Sequence, residues 1–315
     1  MADTTPAERF ERAQAAAFAS VGMRVSSRFV EISEPRLRVR VNELGAGDPV
    51  LFIHGGNSVA ASWLPLLAPL AATHRLIVPD RPGCGLTSHF DYRHIDLRQH
   101  GVDVIRSLLD ALGEQRVAIV GNSIGGYFAL VFALAHPERV SRLGILGEPA
   151  NAEGAPRLFH RLVGTRGLNR LLYKGPLKPP HDAAGVRAGL AKAKLVADAD
   201  RVPDVLCECL AAGAQIPGAT TSWITMVERV FVPAGWGLLA RESLGTHMLA
   251  PELPRLDQPT LFLWGDKDPL GAPAIGKALA ALMPNARLEV VADAGHLPWL
   301  DQPKICADAL VEFLS

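Results

Sequence analysis

The 315-residue chain is poor in cysteine, with only Cys84, Cys207, Cys209 and Cys306. Cys207 and Cys209 are separated by Glu208 alone, too close for a zinc knuckle, and no histidine follows at finger distance. The spacings suggest no paired disulfides, which fits a reducing compartment. Net charge is also lacking. Its 32 basic and 32 acidic residues cancel, and there is no long Lys/Arg run, so nucleic acid is not an expected partner. No apolar run approaches the roughly 18 residues that span a bilayer, so a membrane is not expected either. The Ala-rich start, Met1 to Ser20, carries Asp3, Glu8, Arg9, Glu11 and Arg12. That is neither the basic start nor the continuous apolar centre of a signal peptide. These absences point to a cytoplasmic protein whose partner is a small molecule. They imply no metal and no organic cofactor, and they say nothing about oligomeric state.

Apolar residues, at 49% of the chain, are plentiful enough for a large core. An Ala-rich helix is expected over about Ala7 to Met23, laid on the body or partly mobile, within an N-terminal segment 1–25. Arg28 to Ile32 and Leu37 to Val41 alternate apolar and polar around Pro35, as a hairpin at a sheet edge does. Val50-Leu51-Phe52-Ile53 and Arg75-Leu76-Ile77-Val78 read as strands buried on both faces. An amphipathic helix runs from about Asp96 to Leu112, with Gly113 as its stop. Strands alternating with helices predict a parallel sheet covered on both faces, over 26–150 and again over 252–315. Between them, 151–251 is broken by Gly and Pro and shows no strand, which predicts an inserted helical cap.

The sharpest local pattern is Gly121-Asn122-Ser123-Ile124-Gly125, which fits G-x-S-x-G between the strand Val117 to Gly121 and a helix beginning past Ser123. A serine on so tight a turn is held at a strained backbone angle, so residues two places away must be tiny. The turn lifts the hydroxyl above the sheet and sets it beside a helix N-terminus. A serine nucleophile also needs a base, a group orienting that base, and donors for the oxyanion. In an open α/β sheet these belong at the C-terminal ends of the strands.

Other strand ends carry fitting residues. Asp268 follows the strand Thr260 to Trp264; Asp266 competes with it, but Pro269 and the turn favour Asp268. His296 follows the last strand, in the order Ser, Asp, His. Asp293 reads as a loop-stabilising residue. The oxyanion donors would be the backbone N–H groups of Ile124 and Gly56. His54 reads as an organiser of that loop. Asn57 either points its amide into the pocket or caps the next helix.

Together, His54-Gly55-Gly56, Asp80 through Ser88, Gly121 through Gly126, Gly265 through Asp268 and Gly295-His296 resemble the α/β-hydrolase superfamily. The resemblance implies the α/β-hydrolase fold, a mostly parallel central sheet with helices on both faces and an inserted helical cap. It further implies Ser123 as nucleophile, His296 as base and Asp268 as its partner. The elbow also resembles that of the meta-cleavage-product hydrolases, which split C–C bonds in vinylogous diketones; there the residue matching Asn122 helps shape the site. Their Gly-Pro-Gly after the oxyanion His-Gly is replaced by Asn57-Ser58-Val59, and their aromatic residue after the histidine by Leu297, with Trp299 two places on. Asn57, Asn122 and Trp299 are the substrate-binding candidates. Arg166, Arg170 and Arg187 are the candidates for holding a substrate carboxylate, and Trp223, Phe231, Trp236 and Met248 for an apolar lining.

Three functions follow. The first is a serine hydrolase (carboxylesterase-like) that cleaves esters of small to medium apolar substrates through an acyl-enzyme. The second is C–C hydrolysis of a vinylogous diketone by the same triad. The third is a non-catalytic α/β-hydrolase-fold protein that binds a small ligand.

Overall fold

The computed structural model describes residues 4–153, 158–231 and 244–315. Its frame is one eight-stranded sheet of order β1-β2-β4-β3-β5-β6-β7-β8. The strands are β1 (Ser26–Ser33), β2 (Arg36–Leu44), β3 (Asp48–Ile53), β4 (His74–Pro79), β5 (Val117–Asn122), β6 (Val140–Leu146), β7 (Thr260–Gly265) and β8 (Ala286–Val291). The expected edge hairpin is β1 and β2, paired antiparallel with Val30 opposite Val39. β2 joins β4 antiparallel, and the rest of the sheet is parallel.

The continuous apolar strands are buried on both faces because successive side chains point opposite ways. Along β3, Val50 and Phe52 enter one buried cluster, and Leu51 and Ile53 enter the other. The Leu51 cluster is closed by α3 (Leu97–Leu112) and α4 (Ile124–Ala135). Asp96 caps α3 by accepting the N–H groups of Arg98 and Gln99, and Gly113 ends it in the left-handed conformation at φ 78°. α4 is apolar all round and buried from Ile124 to Leu134, as a helix held between layers must be. The Val50 cluster is covered by α2 (Leu64–Ala71) and α12 (Pro303–Leu314).

The leading helix, α1 (Pro6–Ser20), starts on a Thr5–Glu8 capping box. It is docked: Phe10 and Ala17 are fully buried and Phe18 nearly so, in the cluster that holds Val59, Cys207 and Cys209. Between β6 and β7 the described residues form five α-helices: α5 (Leu158–Gly164), α6 (Leu168–Lys174), α7 (Ala183–Lys192), α8 (Asp204–Ala214) and α9 (Ala219–Phe231). α10 (Pro273–Ala281) and the short α11 (Pro298–Asp301) complete the order. Among the described residues no helix is long and apolar enough to cross a membrane. Because β3 to β8 run parallel, their C-terminal ends lie along one edge of the sheet, and Trp223 of α9 lies against Gly56 after β3.

Candidate active site

Ser123 sits between β5 and α4 at φ 53°, ψ −123°, a conformation that costs a non-glycine residue about 1–3 kcal/mol. The tight turn explains the small neighbours. A Cβ on Gly121 would lie 2.6 Å from the Gly125 carbonyl oxygen, and one on Gly125 would lie 2.1 Å from that of Ile53. Ser123, Ile124 and Gly56 line one cavity.

His296 and Asp268 meet across the loops that follow β8 and β7. Nδ1 of His296 lies 2.9 Å from Oδ2 of Asp268, and both side chains are buried. Oδ2 of Asp268 also accepts the N–H of Glu148 at 2.9 Å, and Oδ1 that of Leu270 at 2.9 Å. Burial alone would lower the imidazole pKa, but the charge and hydrogen bond of Asp268, with the charge of Glu148, raise it above its ordinary value. Burial likewise opposes ionisation of Asp268, yet the imidazole and the two amides hold its carboxyl below the usual range. Nε2 of His296 is buried with no hydrogen-bond partner among the described residues. Asp266 faces elsewhere: its Oδ1 accepts the N–H of Ala294 at 3.0 Å, bracing the loop before His296. Asp293 pairs with Lys267 Nζ at 2.6 Å, on the surface.

The loop after β3 is organised by two buried cationic or titratable side chains. His54 is fully buried; its Nε2 accepts the N–H of Arg81 at 2.9 Å, and Nδ1 contacts the Gly55 carbonyl at 2.9 Å. Burial, reinforced by the Arg81 charge, keeps this imidazole well below its ordinary pKa and so neutral. The Arg81 guanidinium, 3% exposed, donates from Nε to the His54 carbonyl at 2.7 Å and from Nη2 to the Gly55 carbonyl at 2.8 Å. The Gly55 carbonyl shares its peptide plane with the Gly56 N–H. Arg81 therefore fixes, and by its charge polarises, the unit carrying one expected oxyanion donor. Sequence reasoning passed over Arg81, because an arginine in a Pro/Gly turn gives no sign of being buried.

The cavity holds an empty volume of about 500 Å³, counted with the space at its mouth. One wall is the α9 stripe Trp223, Met226, Val227, Val230 and Phe231, at i, i+3, i+4, i+7 and i+8. Phe231 stacks on His160 with ring centroids 4.4 Å apart, and Leu270 lies in the wall as well. Glu148, just past β6, also lines the cavity, although only 2% of it is exposed. Burial, the largest influence, raises its carboxyl to about 7, against the lowering effect of the Ala152 amide and of His296. Nothing in the sequence marked Glu148, since a lone glutamate after a strand is usually solvated.

The three substrate-binding candidates are found elsewhere. Asn122 is 2% exposed and acts as a clamp: its Nδ2 donates to the carbonyls of Leu146 at 2.7 Å and His296 at 3.4 Å. It thus ties the end of β6 to the His296 loop from the position before Ser123. Trp299 is 1% exposed, stacks on Trp63 at 4.5 Å and donates its indole N–H to the Ser62 carbonyl at 2.7 Å. The short α11 turns it into the core rather than toward Ser123. Asn57 is exposed at φ 49°; it does not line the cavity, and the 3-10 turn that follows starts from Val59 without a side-chain cap. Arg166 and Arg170 are exposed, and Arg187 is tied to Asp204 and the Val202 carbonyl, so none lines the cavity. Met248 is 56% exposed, and Trp236 lies outside the described residues.

The sequence pattern of the Alpha/beta hydrolase family matches residues 50–309, most of the chain and every strand from β4 to β8. The chain belongs to the alpha/beta hydrolase family. Among its relatives in that family is the 2-hydroxy-6-oxo-6-phenylhexa-2,4-dienoate hydrolase of Burkholderia cepacia, 30% identical over 86% of this chain and 90% of the relative. Another is the 2-hydroxy-6-oxononadienedioate/2-hydroxy-6-oxononatrienedioate hydrolase of Cupriavidus pinatubonensis, 28% identical over 92% and 96%. Among solved structures, the carboxylesterase CesB of Bacillus subtilis superposes with a TM-score of 0.75 at 18% identity, covering 98% of both chains. A meta-cleavage product hydrolase of Pseudomonas fluorescens IP01 superposes at 0.69 and 23% identity, covering 91% of this alpha/beta hydrolase and 97% of the other. At such identities the superpositions speak for the shared fold.

Proposed function

We propose that this alpha/beta hydrolase is a serine hydrolase that cleaves esters of small to medium apolar substrates through an acyl-enzyme. The observation that carries the proposal is the buried His296–Asp268 pair, 2.9 Å apart, together with a serine at φ 53° on the wall of an apolar cavity. In the proposed cycle His296 Nε2 takes the Ser123 proton as Oγ attacks the substrate carbonyl carbon. Asp268 stabilises the imidazolium that results. The N–H groups of Ile124 and Gly56 receive the oxyanion, each contributing about 3 kcal/mol. His296 returns the proton to the departing alcohol, and a water activated by the same nitrogen releases the acid. Segment 151–251 is proposed as a cap, its α9 stripe holding the acyl or alcohol chain by apolar contact.

A second reading is favoured by the relatives named as dienoate and dienedioate hydrolases. In it the same triad hydrolyses a C–C bond of a vinylogous diketone after enol-to-keto tautomerisation. Turnover of p-nitrophenyl butyrate by the wild type and by Ser123→Ala tests the serine mechanism, and undiminished turnover by Ser123→Ala refutes it. Loss of the yellow absorbance of a ring-fission product, at rates far above those for simple esters, would favour the C–C reading.

A further inference from the structure

Glu148 is the one carboxyl side chain in the described wall of the cavity, and the serine cycle leaves it without a task. Its place is fixed at both ends. Its N–H donates to Asp268 Oδ2 at 2.9 Å, and its Oε1 accepts the N–H of Ala152. Two titratable groups act on it from other elements, Asp268 after β7 and His296 after β8, and His160 of α5 lines the same cavity. No lysine or arginine is among the described residues of the wall. The rest is mostly apolar, so a charge on Glu148 is poorly screened there.

We propose that Glu148 determines the charge of the substrate: the cavity accepts acyl chains that are neutral along the wall between Ser123 and Leu270, and rejects those ending there in a carboxylate. This rests on the serine-hydrolase reading and names its substrate class. Two carboxylates sharing one low-dielectric site repel, and one of them must give up its charge or leave. In its acid form Glu148 can donate a hydrogen bond to a neutral oxygen of the chain; ionised, it repels an anion. Since its carboxyl is held near neutrality by burial, the discrimination strengthens as the pH rises.

The test compares two esters of equal chain length, p-nitrophenyl butyrate and the mono-p-nitrophenyl ester of succinic acid, whose free carboxylate is ionised throughout. The ratio of their kcat/KM values is measured at pH 6 and pH 8 and constant ionic strength. Ionisation of His296 affects both esters alike and cancels in this ratio. In the wild type the ratio favours the neutral ester and grows severalfold, approaching about tenfold, from pH 6 to pH 8. In Glu148→Gln the ratio falls and loses its pH dependence. A wild-type preference for the anionic ester, or a Glu148→Gln ratio equal to the wild type at both pH values, overturns the proposal. The wild-type pH series carries the test even where Glu148→Gln does not fold. Should neither ester be turned over, the serine-hydrolase reading is what fails. Calorimetric binding of hexan-2-one against pentanoate to the wild type then decides the charge question, with tighter binding of pentanoate counting against it.

Discussion

Replacing Arg81 with methionine separates the support of the proposed oxyanion loop from the binding of substrate. Methionine keeps an unbranched apolar chain against Met226, whose sulfur lies 3.7 Å from Nη1. It removes the donors to the carbonyls of His54 at 2.7 Å and Gly55 at 2.8 Å. Hydrogen bonds from a charged group contribute about 1.5–3 kcal/mol each, so losing two costs about 3–6 kcal/mol of stability. The catalytic effect is separate. The Gly55–Gly56 peptide is free to tilt, and misplacing one oxyanion donor costs about 10²–10³ in kcat. In the proposed binding mode the substrate's apolar chain meets α9, so KM stays within about threefold. The assay is steady-state turnover of p-nitrophenyl butyrate, alongside inhibition by a trifluoromethyl ketone, which forms the tetrahedral adduct, and by the product acid. Inhibition by the ketone weakens in step with kcat, while that by the acid does not. Arg81→Lys recovers part of kcat, since an ammonium reaches one of the two carbonyls. A folded Arg81→Met enzyme with kcat within twofold of the wild type would refute the argument.

Other outcomes follow from the same geometry. As the proposed base His296 must be neutral, and its pKa is raised, so kcat/KM climbs with pH through a value above the usual 6.5 for imidazole. Asp268→Asn removes the main group raising it, so that limb moves to lower pH while kcat falls about 10⁴-fold; a limb that stays put counts against the pairing. Trp299→Phe keeps a ring against Trp63 but loses the bond to the Ser62 carbonyl, so thermal unfolding registers a loss of about 1 kcal/mol while KM is unchanged; a raised KM would return Trp299 to the substrate. Asp301, 2% exposed, accepts the N–H groups of Ala197, Asp198 and Gly295. Asp301→Ala leaves the buried amide of Gly295 and the part-buried amides of Ala197 and Asp198 unpaired, lowers stability by about 2–4 kcal/mol, and increases hydrogen exchange at 295–297 more than at β5.

The course of the chain through the sheet was legible because its signals are local. Period-two alternation in β1 and β2, short apolar runs in β3 and β4, and Gly113 at a helix end each need only a few neighbouring residues. The serine turn was legible for the same reason, since its glycines answer to contacts within one strand–turn–helix unit. Asn122 and Trp299 were pocket candidates through the resemblance, as residues next to Ser123 and shortly after His296. Adjacency along the chain says little about direction: β5 sends Asn122 toward Leu146, and α11 sends Trp299 toward Trp63.

The sequence by itself determined the alternation of strands and helices, the place of the serine turn, and the order of serine, aspartate and histidine along the chain. Only the tertiary structure decided which groups face one another across separate loops. It set Asp268 rather than Asp266 against His296, buried Arg81 under the Gly55–Gly56 peptide, and brought Glu148 into the cavity wall. Burial and partnership are properties of residues far apart in the chain, 28 residues for Asp268 and His296 and 26 for Arg81 and Gly55, and no local pattern encodes them.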